Sequence, residues 1–113
     1  MKRARQHSST TMFEQALRKE SGGGHYVLRL FVTGSTARSR RAIQNIRAIC
    51  EERLEGHYVL EVIDIYQHPE QVRPEQIVVV PTLVKKLPEP VRKTIGDLSN
   101  KERVLAGLDM LAR

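Results

Sequence analysis

Apolar residues in this chain gather into a few short stretches, and their spacing changes from one to the next. The longest run, Ile77 to Val84, reads I-V-V-V-P-T-L-V. It is rich in β-branched residues and too short for a convincing helix, so it predicts a buried strand. Pro81 interrupts it. A proline cannot donate to a strand ladder, so the chain is expected to run up to Val80, turn at Val80-Pro81 and enter the strand at Thr82. His25 to Thr33, H-Y-V-L-R-L-F-V-T, is a second strand, bounded by Gly34 and Ser35, and Tyr58 to Tyr66, Y-V-L-E-V-I-D-I-Y, is a third. Between those two, from Arg38 to Leu54, Ala42, Ile43, Ile46, Ile49, Cys50 and Leu54 recur at intervals of three and four, one face of a helix. Arg40, Arg41 and Arg47 fall outside that face and should be exposed, and Gly56 stops the helix. Strand, helix and strand within about 40 residues predict a parallel βαβ unit with a right-handed crossover.

The second half is less regular. His68, Pro69 and Pro74 break up the next segment and leave room for one short helix. After Val84, K-K-L-P-E-P-V-R-K makes a bend with two prolines and four cations, followed by Thr94 to Leu98. Ser99-Asn100-Lys101-Glu102 is a capping-box sequence that opens a final helix, with Val104, Leu105, Leu108 and Leu111 on one face. Two residues act against that helix. Gly107 costs about 1 kcal/mol relative to alanine in a helix interior, and Asp109 sits near the end where a negative charge meets the dipole unfavourably. Read with period two, Ala106, Leu108 and Met110 alternate with Gly107 and Asp109, so the segment is locally ambiguous between helix and strand. Replacing Gly107 by alanine and Asp109 by arginine is expected to raise its helix propensity.

Length and charge narrow the class. A chain of 113 residues is one domain with a modest core. Residues 1–24, from M-K-R-A-R to S-G-G-G, are predicted to be a flexible basic extension, with the folded body over 25–113. Met12, Phe13, Ala16 and Leu17 could share a face there, but an isolated helix of about eight residues is marginal in water, and Glu14 and Glu20 argue against a transit peptide. The extension holds five basic and two acidic residues, half of the net charge of +6, so the body is only mildly basic. With two Phe and no Trp there is no aromatic interleaving for base stacking, and nucleic acid is not an expected partner. No apolar run nears the roughly 18 residues that span a bilayer, so no membrane is expected. A single cysteine excludes an internal disulfide and fits a reducing cytoplasm.

Strand entry by V-P-T-L is similar to the proline loop of thioredoxin-like domains, which implies a cis X-Pro bond facing an active site. Thiol exchange needs a thiolate, usually from C-x-x-C between the first strand and the first helix. That place here reads Thr33-Gly34-Ser35-Thr36-Ala37-Arg38-Ser39, without sulfur. Cys50 lies on the apolar face of the helix and reads as a small core residue. Ser35 or Thr36 could activate glutathione in a transferase of this fold, against the plainer reading of a turn and a helix cap. His7, His25, His57 and His68 lack metal-ligand spacing, and Asp64 and Asp97 read as strand-end and turn residues. No catalytic residue, metal or cofactor is therefore assigned.

Taken together, Y-V-L-R-L-F-V-T-G, the amphipathic helix, Y-V-L-E-V-I-D-I, V-P-T-L-V-K, L-P-E-P-V-R-K-T-I-G-D-L-S and V-L-A-G-L-D-M-L resemble the KaiB family of circadian-clock proteins from about Tyr26 to Leu111. Leu87 to Ser99 is the most specific piece. The resemblance implies a thioredoxin-like βαβ unit followed by a β-hairpin and a C-terminal helix. It also implies a non-enzymatic regulator that binds the hexameric ATPase KaiC, sequesters KaiA and competes with a histidine kinase whose sensor domain is KaiB-like. It further implies a second, ground-state fold, often a tetramer, in which the part corresponding to Pro69 through Leu111 is rearranged. Pro81, Pro88, Pro90, Gly107 and Asp109 belong to that part, and two packings of one sequence coexist only when a few kcal/mol separate them. Lys85, Lys86, Arg92 and Lys93 around the bend, with Arg41 and Arg47 on the helix, are then candidate partner-binding cations; the plain alternative for each is a solvated surface. The extension over 1–24, and Lys86 and Glu89 where the clock proteins carry apolar residues, depart from the family pattern and point to a stress or timing role without KaiA. A glutathione-type transferase and an interaction module with one fixed fold are the rival readings.

Overall fold

The computed structural model describes residues 25–110. The basic extension expected over 1–24, and Leu111 on the last helical face, lie outside the described residues. Tyr26–Val32 forms β1, the strand on which the sheet is built. Val27, Leu28, Leu30, Phe31 and Val32 are all buried, because β1 has a strand on either side and a packed layer on either face. Tyr58–Asp64 forms β2, parallel to β1, with Tyr26 opposite Tyr58 and Val32 opposite Asp64. Thr82–Leu87 forms β3, antiparallel to β1 with an irregularity between Val27 and Leu28, and Arg92–Ile95 forms β4, antiparallel to β3. The sheet order is β2-β1-β3-β4.

The connection from β1 to β2 is α1, Ala37–Arg53. Thr36 caps it by accepting the Ser39 amide at 3.1 Å, and Ala42, Ile46, Ile49 and Cys50 are buried as their spacing requires. The last helix, α2, spans Lys101–Gly107. Asn100 rather than Ser99 caps it, accepting from the Arg103 amide at 3.1 Å. Helix wins over the alternating pattern here because Val104, Leu105 and Leu108 reach the core together. Both helices pack on one face of the sheet, where Leu28, Leu30, Val32 and Leu83 meet Ala42, Ile46, Ile49, Cys50, Val104, Leu105 and Leu108.

Among the described residues, the other face carries no α-helix. Phe31, Ile63 and Val84 are covered there by Ile65, Ile77 and Val80, from the irregular segment between β2 and β3. The short helix expected in that segment is a single 3-10 turn, Pro69–Gln71. The strand begins at Thr82, as expected after Pro81; what is corrected is the buried strand over the first part of the run, where Val78 is 93% exposed. The Val80–Pro81, Leu87–Pro88 and Glu89–Pro90 bonds are cis. No helix among the described residues is long and apolar enough to cross a membrane.

Candidate functional site

The bend between β3 and β4 brings the four candidate cations onto different surfaces. Side chains alternate along a strand, so Lys85 shares the inward face with Leu83, while Lys86 turns to the opposite face. Lys85 is 1% exposed. Its ammonium donates to the Pro88 and Pro90 carbonyls, the latter at 2.7 Å, and lies 3.1 Å from an Asp109 carboxylate oxygen. A charge this deep needs such partners. Lys85 thus holds the bend closed from within, a correction to its expected place on an exposed basic patch. Asp109 lies beyond α2 with φ +59°, not in the last helical turn, and accepts from Arg92 Nε as well. The Lys85 hydrogen bond, with the Arg92 charge, holds its carboxyl below the usual range.

Gly107 is also corrected. It is the last residue of α2 and lies against β4: a Cβ there would stand 2.1 Å from Thr94 Oγ1. The pair of substitutions expected to strengthen the helix would instead introduce a clash at Gly107 and remove the Lys85 partner at Asp109.

Of the remaining cations, Lys86 is half-buried and 2.9 Å from Glu75, whereas Arg92 and Lys93 are exposed, Lys93 Nζ donating to the Gln76 carbonyl at 3.0 Å. Arg41 and Arg47 are exposed on α1, and Arg41 pairs with Asp97 at 3.2 Å. Among the described residues, no ion pair or hydrogen bond joins those two arginines to the bend. Pro88 and Pro90 are bonded through their carbonyls to Lys85, and Pro81 through its own to the Gly96 amide.

One cluster was not anticipated. On the helix-free face, Arg29 of β1 reaches Glu61 of β2 at 3.2 Å, Glu75 at 3.0 Å and Gln71 at 2.5 Å, and its guanidinium lies 5.9 Å from the Phe31 ring centre. Lys86 of β3 closes on the same Glu75 oxygen at 2.9 Å. Burial pushes the Glu75 carboxyl up, but the hydrogen bonds and charges of Lys86 and Arg29 outweigh it and hold the group below the usual range. A sequence signal for part of this existed: Y-V-L-R and Y-V-L-E open two parallel strands, and equal register sets Arg29 opposite Glu61.

The thioredoxin-type catalytic position is filled by structural bonds. Ser39 is buried, accepts from the Thr33 amide at 3.1 Å and from Thr36 Oγ1 at 2.9 Å. Asp64 accepts from the Gly34 and Tyr66 amides, and Asp97 from the Ser99 amide, so both close turns. Cys50 is buried, and desolvation pushes its thiol up to about 12. His25 and His57 meet edge to face at 5.5 Å, and His68 lies 3.4 Å from Glu70. Among the described residues, no three His, Cys, Asp or Glu side chains gather where they could hold a metal ion.

Comparison with known proteins adds the family. The KaiB domain model matches residues 29–110. The circadian clock protein KaiB3 of Synechocystis sp. is 49% identical over 85 residues, which are 75% of this chain and 83% of that protein. The circadian clock oscillator protein KaiB of Nostoc punctiforme is 51% identical over 86 residues, 76% of this chain and 83% of the relative. Among solved structures, the N-terminal domain of Synechococcus elongatus SasA is 24% identical with a TM-score of 0.64, covering 80% of this chain and 90% of that one. Mitochondrial thioredoxin 3 of Saccharomyces cerevisiae is 14% identical with a TM-score of 0.67, covering 90% of each. These two show a thioredoxin-like fold.

Proposed function

The chain belongs to the KaiB family, and on that premise we propose that it binds a KaiC-like hexameric ATPase and modulates its activity or its recruitment of further partners. The family is one of circadian clock regulators, not of enzymes. KaiA, or a histidine kinase with a KaiB-like sensor domain, are the further partners in this reading; the likeness of the fold to the SasA domain supports the second. Arg92 and Lys93, exposed at the bend, with Arg41 and Arg47 on α1, supply the cations for ring contact, and Lys86 adds a charge already shared with Glu75. Exposed charges of this kind mainly raise association rate and specificity.

The observation that carries the switching part of the proposal is the unequal covering of the sheet. The segment between β2 and β3 lies on its face without a helix, and the elements after it are short, β4 of four residues and α2 of seven. A half held by so little regular structure can repack at a cost of a few kcal/mol. Dimers or tetramers of the rearranged form, a cytoplasmic location for a protein whose one cysteine is a buried thiol, and a body beginning near residue 25 complete the reading.

A second reading, an interaction module with one fixed fold, draws on the Arg29–Glu61–Glu75–Lys86 cluster, which ties that segment to β1 and β3 and, through Arg29, to β2. Co-purification with a KaiC-like ATPase in ATP tests the first claim, and no complex after prolonged incubation removes it. Association over minutes to hours, with two sets of amide resonances for residues 69–110, supports switching. Rapid association with one set supports the fixed module.

A further inference from the structure

The edge of β4 that faces away from β3 makes no backbone hydrogen bond to another element among the described residues. Beside it runs a groove of about 410 Å3, with Val91 to Ile95 as its floor and Arg103, Ala106 and Gly107 of α2 as a wall. We propose that this groove takes an extended acidic segment of a partner protein, which adds itself to the sheet as a strand beside β4.

Three observations carry this. An unpaired edge offers a row of amides and carbonyls that a strand from another chain can satisfy. The side chains along it alternate: Val91, Lys93 and Ile95 point to one face, Arg92 and Thr94 to the other, and Val91 and Ile95 are 52% and 47% exposed. The charges lining the groove are all positive. Arg92 has Asp109 and Lys93 has the Gln76 carbonyl, but the Arg103 guanidinium meets no carboxylate among the described residues. The fitting occupant therefore alternates acidic and apolar residues, and cross-strand pairs of opposite charge favour it over its cationic counterpart. Pro90, with no amide proton, limits the site at one end.

The chain itself supplies no good occupant. A second copy pairing edge to edge would bring Arg92, Lys93 and Arg103 against their own equivalents, and residues 1–24 carry five basic residues against two acidic. A short cationic edge rejects copies of itself, and the same charges admit a strand of opposite sign.

The test uses the full chain and two synthetic peptides of about eight residues, one alternating valine with glutamate and one alternating valine with lysine. At low salt the glutamate peptide should bind at least about tenfold more tightly by fluorescence anisotropy, with slowed hydrogen exchange at amides of residues 91–95. Arg103→Glu should weaken it by about fivefold or more. Arg53→Glu, the same change of charge at the far end of α1, should change it by less than about twofold. Equal losses in the two variants, protection on β2 instead, or no binding at millimolar peptide would overturn the proposal. So would protection, in the free protein, of the β4 amides that point away from β3, whether concentration-dependent, as a second copy requires, or dependent on residues 1–24. The ATPase is absent from this assay, so its outcome and that of the co-purification are independent.

Discussion

Replacing Glu75 by glutamine removes the carboxylate on which Arg29 and Lys86 both close, and the loss can be sized from the cluster. Glu75 and Arg29 side chains are 10% and 14% exposed and their polar atoms are 3.0 Å apart; Lys86, at 2.9 Å, is more open. A hydrogen bond to a charged group contributes about 1.5–3 kcal/mol. Glutamine keeps one acceptor oxygen, and Arg29 keeps Glu61, so the expected loss is about 2 kcal/mol rather than the roughly 3–5 kcal/mol of a fully buried broken pair. For a body of this size that lowers Tm by about 10 °C. Urea unfolding followed by circular dichroism measures it, and a cycle with Lys86→Met should return a coupling above about 0.5 kcal/mol. The pH dependence has a definite sign. The Glu75 carboxyl is held low in the folded protein, so its contribution is complete above the unfolded value of about 4.3 and is lost as pH falls through the folded value. The gap between wild type and Glu75→Gln should therefore close in acid. A loss below about 0.5 kcal/mol at pH 7, or a gap unchanged at pH 3, would refute the assignment of this cluster as the tie between the irregular segment and the sheet.

Other consequences are equally direct. Lys85→Ala leaves the Pro88 and Pro90 carbonyls without their buried donor and Asp109 with Arg92 alone and should cost about 2 kcal/mol in chemical unfolding, whereas a truly exposed lysine would cost almost nothing. Gly107→Ala should destabilise by about 1–3 kcal/mol through overpacking against Thr94, despite the better helix propensity; adding Thr94→Ala should restore much of it, and no rescue would show that the contact is not the cause. Cys50, buried with its thiol pushed up to about 12, should resist a thiol reagent at pH 8 in the folded protein and react fully in denaturant; rapid native labelling would contradict its burial.

The βαβ unit was legible because its signals are local: a three-four apolar rhythm over Arg38 to Leu54 and two strands punctuated by glycine. The entry at Thr82 followed from what proline cannot do. What escaped was set by pairing between distant segments. Lys85 looked like its neighbour Lys86 in a run of cations, yet strand alternation sends the two to opposite faces, one into the core beside Leu83. Arg29 and Glu61 stand within largely apolar strands, and only the parallel register sets them side by side. The capping and spacing signals place Asp109 against a helix dipole, but the chain has already left the helix there and its carboxylate answers a lysine on β3. At the candidate site, the exposure of Arg41, Arg47, Arg92 and Lys93 followed the polarity of their surroundings, while which cations were already engaged depended on contacts that no sequence window contains.

A sheet clad by two helices on one side and by a loose strap on the other has a weak side. Peeling back residues 69–80 would strip Ile77 and Val80 from Phe31, Ile63 and Val84 and leave Ile65 alone over them, with the strand ladders and the helical layer whole. The smallest excursion of this molecule is thus the lifting of a single cover, and hydrogen exchange should show that cover opening well before the scaffold beneath it.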